Sequence, residues 1–149
     1  MSDLSNKYPQ RAFKILIVDA STVACAPCLS TQQSDKGAVA PLDFTTIQRE
    51  LDDINLTVLV NNAGGAPVNP VCLPVWESSE AMITGNVSLN ALFPLIHLTR
   101  ALLPKLIQHS PSLVINISTM IDQGFPLLAS YSASKQFLMA ITRCLNREA

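Results

Sequence analysis

The sequence predicts an α/β fold in three layers, a parallel sheet with helices on both faces. Three observations predict it. Short, near-continuous apolar runs rich in β-branched residues recur at 13–18, 56–60 and 113–117. Such runs suit strands buried on both faces. Segments with helical periodicity separate them, giving the order β-α-β-α-β-α and implying right-handed crossovers. Each run also ends in small polar residues, namely Asp19-Ala20-Ser21, Asn61-Asn62-Ala63-Gly64-Gly65 and Ser118-Thr119. These positions lie just past the strand C-termini, where open α/β sheets bind ligands.

The elements follow in chain order. Residues 13–18 make the first expected strand, and 21–42 read as a loop. Residues 43–53 are polar with Ile47 and Leu51 at i, i+4, a short surface helix. After the strand at 56–60, residues 65–78 form a second loop rich in Pro and small residues. A long helix, or two, spans 79–108 with an interruption expected at Pro94, which lacks an N–H. The strand at 113–117 leads to a final amphipathic helix over 130–148, with Phe137, Leu138, Ile141 and Leu145 on one face.

Composition limits the function. The chain of 149 residues is read as one domain, 1–149, with 48% apolar and 14% charged residues and a formal net charge of −1. A near-neutral surface argues against nucleic acid as a partner. No uninterrupted apolar stretch approaches the roughly 18 residues of a membrane span, and the first six residues lack a signal-peptide apolar region. The four cysteines read as reduced thiols. Cys25-Ala26-Pro27-Cys28 is a C-x-x-C, but the residues after it lack the apolar period of a redox helix. No second ligand pair at zinc spacing accompanies it, so no metal site is expected. His97 and His109, twelve residues apart, read as helix-face residues. The five glycines, at 37, 64, 65, 85 and 124, cannot form G-x-G-x-x-G or a G-x-x-x-x-G-K loop.

Chemistry concentrates in the second half. Tyr131 and Lys135 are four residues apart and share a helix face. An ammonium beside a phenol favours the phenolate, which lets the phenol exchange protons with a substrate oxygen. Ser118 lies thirteen residues before Tyr131 at a strand end, where its hydroxyl could bond the same oxygen. Asn61-Asn62-Ala63-Gly64 follows another strand and, taken alone, reads as a turn.

This set, in this order and spacing, resembles the short-chain dehydrogenase/reductase family from about Lys7 to Ala149. Lys7-Tyr8-Pro9-Gln10 leading into Ile17-Val18-Asp19-Ala20-Ser21 is similar to the branch holding very-long-chain 3-oxoacyl-CoA reductases and 17β-hydroxysteroid dehydrogenases. The resemblance implies a Rossmann-like domain that lacks the first β-α-β unit, with its T-G-x-x-x-G-x-G loop, and the C-terminal strands. It implies a nicotinamide cofactor, NADP with NAD as the alternative, and a small carbonyl or alcohol substrate of steroid or fatty-acyl type. Tyr131 would be the acid/base, Lys135 would lower its pKa and hold the ribose, and Ser118 would orient the carbonyl. Asp19 and Ala20 would lie near the adenosine, and Asn62, Ala63 and Gly64 would line the cofactor channel.

Two departures accompany the likeness. Ser118 fits the distance to Tyr131, whereas Thr119 fits the motif alignment; Ser118 is preferred. The family's helix asparagine matches Asn90, which stands one residue farther than usual from Thr99-Arg100. Pro94 supports Asn90 over Asn86, because in an α-helix the proline would free the Asn90 carbonyl to hold a water. Self-association through Leu89, Phe93 and Ile96 and through Phe137, Ile141 and Leu145 is expected, as a homo-oligomer. The location expected for this chain is cytoplasmic, with endoplasmic-reticulum association implied by the branch. The rival reading is a non-enzymatic remnant acting through helix-mediated association.

Overall fold

The computed structural model describes residues 2–17, 20, 44–65 and 71–148. Asp19, Cys25 and Cys28 lie outside them. The elements are α1 (Ser2–Lys7), α2 (Phe44–Glu50), β1 (Val58–Asn61), α3 (Glu80–Val87), a π-helical segment (Ser88–Thr99), α4 (Arg100–Gln108), β2 (Leu113–Asn116) and α5 (Ala129–Glu148). The helix α1 was not expected from the sequence.

β1 and β2 pair in parallel, from Val58 opposite Leu113 to Asn61 opposite Asn116. The alternation of side chains turns Leu59 and Asn61 inward, where both are buried. Leu59 joins Leu102 and Leu106 of α4 as the core, with Leu51, Leu56, Leu98 and Val114 packed around it. The other sheet face carries Val58 and Val60, each 51% exposed, with Leu113 and Ile115. Apolar residues on both faces are the pattern of a sheet built for cover on two sides. Among the described residues no helix covers that second face.

The expected strand at 13–18 also differs. Among the described residues it pairs with nothing, and Ile17 is 93% exposed. The doubly wound order 3-2-1-4-5-6 gives the reason. β1 and β2 are neighbours, as fourth and fifth strands are, whereas a third strand pairs with the second. No such second strand occurs among the described residues. Lys14 instead ties the segment to the end of α2, with Nζ 3.1 Å from Glu50 Oε2 and a hydrogen bond to the Glu50 carbonyl.

The long helix expected over 79–108 is present from Glu80 to Gln108, and its α register breaks around Pro94. Ser79 caps its start, accepting from the Met82 N–H at 3.2 Å. From Ser88 to Thr99 the turns widen to the i→i+5 pattern. One extra residue inserted in a helix is absorbed by such widening, which fits the extra residue between Asn90 and Thr99. The Thr99 hydroxyl donates to the Pro94 carbonyl at 2.6 Å. By length and mean hydropathy, 1.3 over an 18-residue window, this helix could cross a membrane. Here it is a wall of the domain, since Asn90 and Thr99 are buried and bonded to neighbouring elements. Phe93, expected on an association face, is also buried, its ring 6.3 Å from that of Phe44. Ile96 and Phe137 do remain exposed.

A polar chain crosses the core. Asn61 Nδ2 donates to Thr99 Oγ1 at 2.9 Å and to Asn116 Oδ1 at 2.7 Å. Asn116 Nδ2 donates to Thr142 Oγ1 at 2.9 Å, and Thr142 donates to the Leu138 carbonyl at 2.7 Å. Both strands, the π segment and α5 are thereby tied through Asn61. Asn61→Ala should therefore cost about 2 kcal/mol, since it leaves the Asn116 acceptor unpaired in the interior. Urea denaturation will measure this; a loss under about 0.5 kcal/mol would mean that the chain of bonds does not hold the elements together.

Candidate active site

The site forms where three chain segments meet, at the ends of β1 and β2 and on the first turns of α5. Lys135 is 3% exposed, and its Nζ donates to the Ile117 carbonyl, just past β2, at 3.1 Å. The same Nζ lies 6.0 Å from the centroid of the Tyr131 ring, one turn back on α5. Burial holds the Lys135 pKa below the usual lysine value of 10.5. Tyr131 is half-buried. Between the two, Ser134 turns its hydroxyl back onto the Ser130 carbonyl at 2.5 Å, which leaves Tyr131 and Lys135 to face the strand ends.

The loop after β1 approaches from the other side. A methyl group on Gly64 would sit 2.8 Å from Lys135 Nζ and 3.0 Å from Asn90 Oδ1. A side chain at this position would make the Lys135 ammonium and the Asn90 amide shift. Gly65 adopts φ 134°, a conformation open to glycine. Asn90, fully buried, clamps that residue: Gly65 N–H donates to Oδ1 at 3.0 Å, and Nδ2 donates to the Gly65 carbonyl at 2.7 Å. Nδ2 also donates to the Asn86 carbonyl at 2.9 Å.

Asn90 thus comes to the site, but the argument from Pro94 changes. In the π register a carbonyl accepts from the fifth residue on, so the carbonyl that Pro94 fails to serve is that of Leu89. What Asn90 does here it does with its side-chain amide, holding the Gly64–Gly65 loop against Lys135. Ser118 is half-buried beside Ile117, and its hydroxyl donates to Asp122 Oδ2 at 3.4 Å. Thr119 Oγ1 accepts from the Ile121 N–H at 3.5 Å. Asn62 and Ala63 are exposed beside Gly64, and Ala20 is half-buried. The two histidines have structural neighbours: His97 stacks on Phe44 at 5.1 Å, and His109 Nδ1 contacts the Lys105 carbonyl at 2.9 Å.

Asn61 and Gly65 stood in the strand-end motif without an assigned role, and the Ile117 carbonyl was not noted. Asn61 could have been found from strand alternation, which places it inward with Leu59. The others carry no sequence signal, since a backbone group acts through its position. For a nicotinamide dinucleotide the donor set fits in one half. The exposed backbone at 62–64 and the Lys135 ammonium behind Gly64 suit a ribose. The pyrophosphate finds no glycine-rich turn in the sequence.

The parallel pair β1–β2 thus carries Tyr131 and Lys135 beside its strand ends. The chain belongs to the short chain dehydrogenase family, whose profile matches residues 5–149. It is 29% identical over 150 residues to the very-long-chain 3-oxoacyl-CoA reductase of Bos taurus, covering 93% of this chain and 47% of that one. The chain therefore spans about half the length of that relative. A short chain dehydrogenase from Shigella flexneri shares the fold, with a TM-score of 0.73 at 22% identity over 98% of this chain and 51% of its own. A metagenomic short-chain oxidoreductase in complex with NADP has a TM-score of 0.61 at 26% identity, over 70% of this chain and 47% of its own.

Two outcomes follow. Gly64→Ala should push Lys135 and Asn90 apart and cost about 1–3 kcal/mol in urea denaturation; an unchanged midpoint would show that the loop moves aside freely. Lys135 binds fewer protons folded than unfolded between its lowered pKa and 10.5, so its burial makes stability rise with pH across that window. Lys135→Met should flatten this rise and leave the protein at least as stable at neutral pH. A variant with the parental pH slope would show that Lys135 is not the group responsible.

Proposed function

We propose that this chain carries the proton-transfer half of a nicotinamide-dependent short-chain dehydrogenase/reductase, reducing a carbonyl or oxidising the matching alcohol. One observation carries the reading: the buried Lys135 ammonium beside the Tyr131 ring, anchored on Ile117. When bound, the cofactor supplies the hydride. In the direction of reduction the Tyr131 hydroxyl gives its proton to the carbonyl oxygen. Lys135 stabilises the phenolate left behind, because a neighbouring cation favours the charged form. Ser118 orients the carbonyl, with Thr119 one residue on as the alternative. Asn90 acts through Gly65 to keep the cofactor loop in place.

Asp19 and Ala20 would take the adenosine, and Asn62, Ala63, Gly64 and Lys135 the nicotinamide ribose. NADP is the preferred form, in line with the NADP-bound relative, and NAD the alternative. The substrate class is a fatty-acyl carbonyl, after the bovine relative's name, with a steroid as second choice. The location proposed is cytoplasmic for this chain, with association at the endoplasmic reticulum after the same branch.

The alternative, a non-enzymatic remnant, draws on a groove of about 390 Å3 between α4 and α5, lined by Leu103, Ile107, Ile141 and Leu145 among others. Such a surface suits the proposed homo-oligomer through the long helices. Calorimetric titration with NADPH separates the two readings. We expect weak binding by the 149 residues, no steady turnover without a phosphate cradle, and binding unchanged within a few-fold in Tyr131→Phe. In any form of the protein that turns over, Tyr131→Phe should remove nearly all of kcat. Absence of binding together with stable dimers in light scattering would favour the remnant, and near-normal kcat in Tyr131→Phe would overturn the role of the phenol.

A further inference from the structure

The groove between α4 and α5, about 390 Å3 in volume, lies away from the candidate active site. Ile141 on its α5 wall stands about 15 Å along the helix from Tyr131. The floor is Leu95 and Thr99, both buried. The Thr99 hydroxyl is engaged on the inner side, donating to the Pro94 carbonyl at 2.6 Å and accepting from Asn61 Nδ2 at 2.9 Å. The walls are aliphatic, Leu103 and Ile107 on α4 and Ile141 and Leu145 on α5. One lining side chain carries a charge, Arg100. It forms no ion pair among the described residues, and no acidic side chain lines the groove.

The sequence sets this arrangement. Arg100 is the first residue of α4, and Leu103 and Ile107 follow at i+3 and i+7, on the same face. Ile141 and Leu145 are four apart on α5. Two aliphatic stripes thus flank a trough with its cation toward one end. From Arg100 to Ile107 the trough extends about 10 Å along α4. Hydrocarbon gains wherever it meets the aliphatic walls, whereas an anion is stabilised only at the guanidinium. A cationic solute meets like charge at Arg100 and no counter-charge elsewhere in the groove.

We propose that this groove is a binding site for a free medium-chain carboxylate. The carboxylate sits on the Arg100 guanidinium, whose planar fork suits two parallel hydrogen bonds. The tail runs toward Ile107, between Leu103 on one side and Ile141 and Leu145 on the other. The volume falls in the range of small-molecule sites. A second copy of this chain is the rival occupant, since it could bury the same aliphatic side chains. A two-fold pairing through the groove, however, brings the same patch from both copies. It would set two Arg100 side chains in one interface with no lining carboxylate to offset them. Charge complementarity therefore favours the carboxylate. The inference goes beyond the proposed function and does not rest on it.

The test uses the intact chain without cofactor, and decanoate kept below its micelle-forming concentration. Calorimetric titration should show one decanoate bound per chain. Octanoate should bind about fourfold weaker, about twofold for each methylene removed from a partly open groove. Decanol, with the same tail and no charge, should bind about fivefold weaker than decanoate. Arg100→Gln should remove that fivefold advantage and leave decanol binding unchanged. Ile141→Ala should weaken both ligands about threefold. Ile107→Ala, at the exposed rim, should weaken both in the same direction and serves if Ile141→Ala does not fold. In NMR spectra the methyl shifts of Leu103 and Ile141 should move with the bound fraction, while the Tyr131 ring carbons stay in place. Equal decanoate affinity in Arg100→Gln, or shifts at Tyr131 in place of the groove methyls, overturns the site. Absence of decanoate binding, with dimers in light scattering that Ile107→Ala weakens, overturns it in favour of the second copy. Dimers that decanoate dissociates over the same concentration range as its binding support it. None of these outcomes depends on dinucleotide binding or turnover, so failure here is distinct from failure of the proposed function.

Discussion

Burying the Lys135 ammonium is the constraint on which the site depends. A lone cation in the interior loses its hydration, and in this chain the Ile117 carbonyl is the single protein acceptor it reaches among the described residues. That acceptor exists because β2 ends at Asn116 and the chain continues without turning its carbonyl into a ladder. Space for the ammonium exists because residue 64 has no side chain. A charge kept at this cost is a poor stabiliser, and stability gives no reason to keep it there.

Around that cation the supports are short and mostly amide-based. Asn90 grips Gly65 at two backbone atoms, and Asn61 spans two strands and a helix. Both asparagines are buried, both use Nδ2 twice, and each joins segments far apart in sequence. The π segment connects the two systems, with Asn90 near its start and Thr99 at its end. Its wider turns let both residues face inward despite the extra position between them. A change in that segment reaches the Gly64–Gly65 loop and the sheet together.

Much of this was legible in the chain, for reasons that are local. The runs at 56–60 and 113–117 read as strands because apolar residues without alternation have few other uses. The helices from 79 and from 130 read correctly from their apolar period. The run at 13–18 looked the same, yet its described residues, 13–17, have no strand partner among the described residues, because a strand is defined by a neighbour, which composition cannot supply. The i, i+4 spacing placed Tyr131 and Lys135 on one face, but the depth of Lys135 depends on Gly64 and Ile117, residues 71 and 18 positions earlier in the sequence. The π register was hidden as well, since Pro94 announces a broken hydrogen bond without saying which carbonyl loses it.

The uncovered sheet face has a consequence of a different kind. Val58, Val60, Leu113 and Ile115 form a strip of branched aliphatic surface, uncovered among the described residues. A chain that adds a strand beside it must satisfy direction and register as well as hydrophobicity, since the ladder bonds fix both. An apolar strip of this kind favours meeting like surfaces, and association through it would scale with the concentration of the chain.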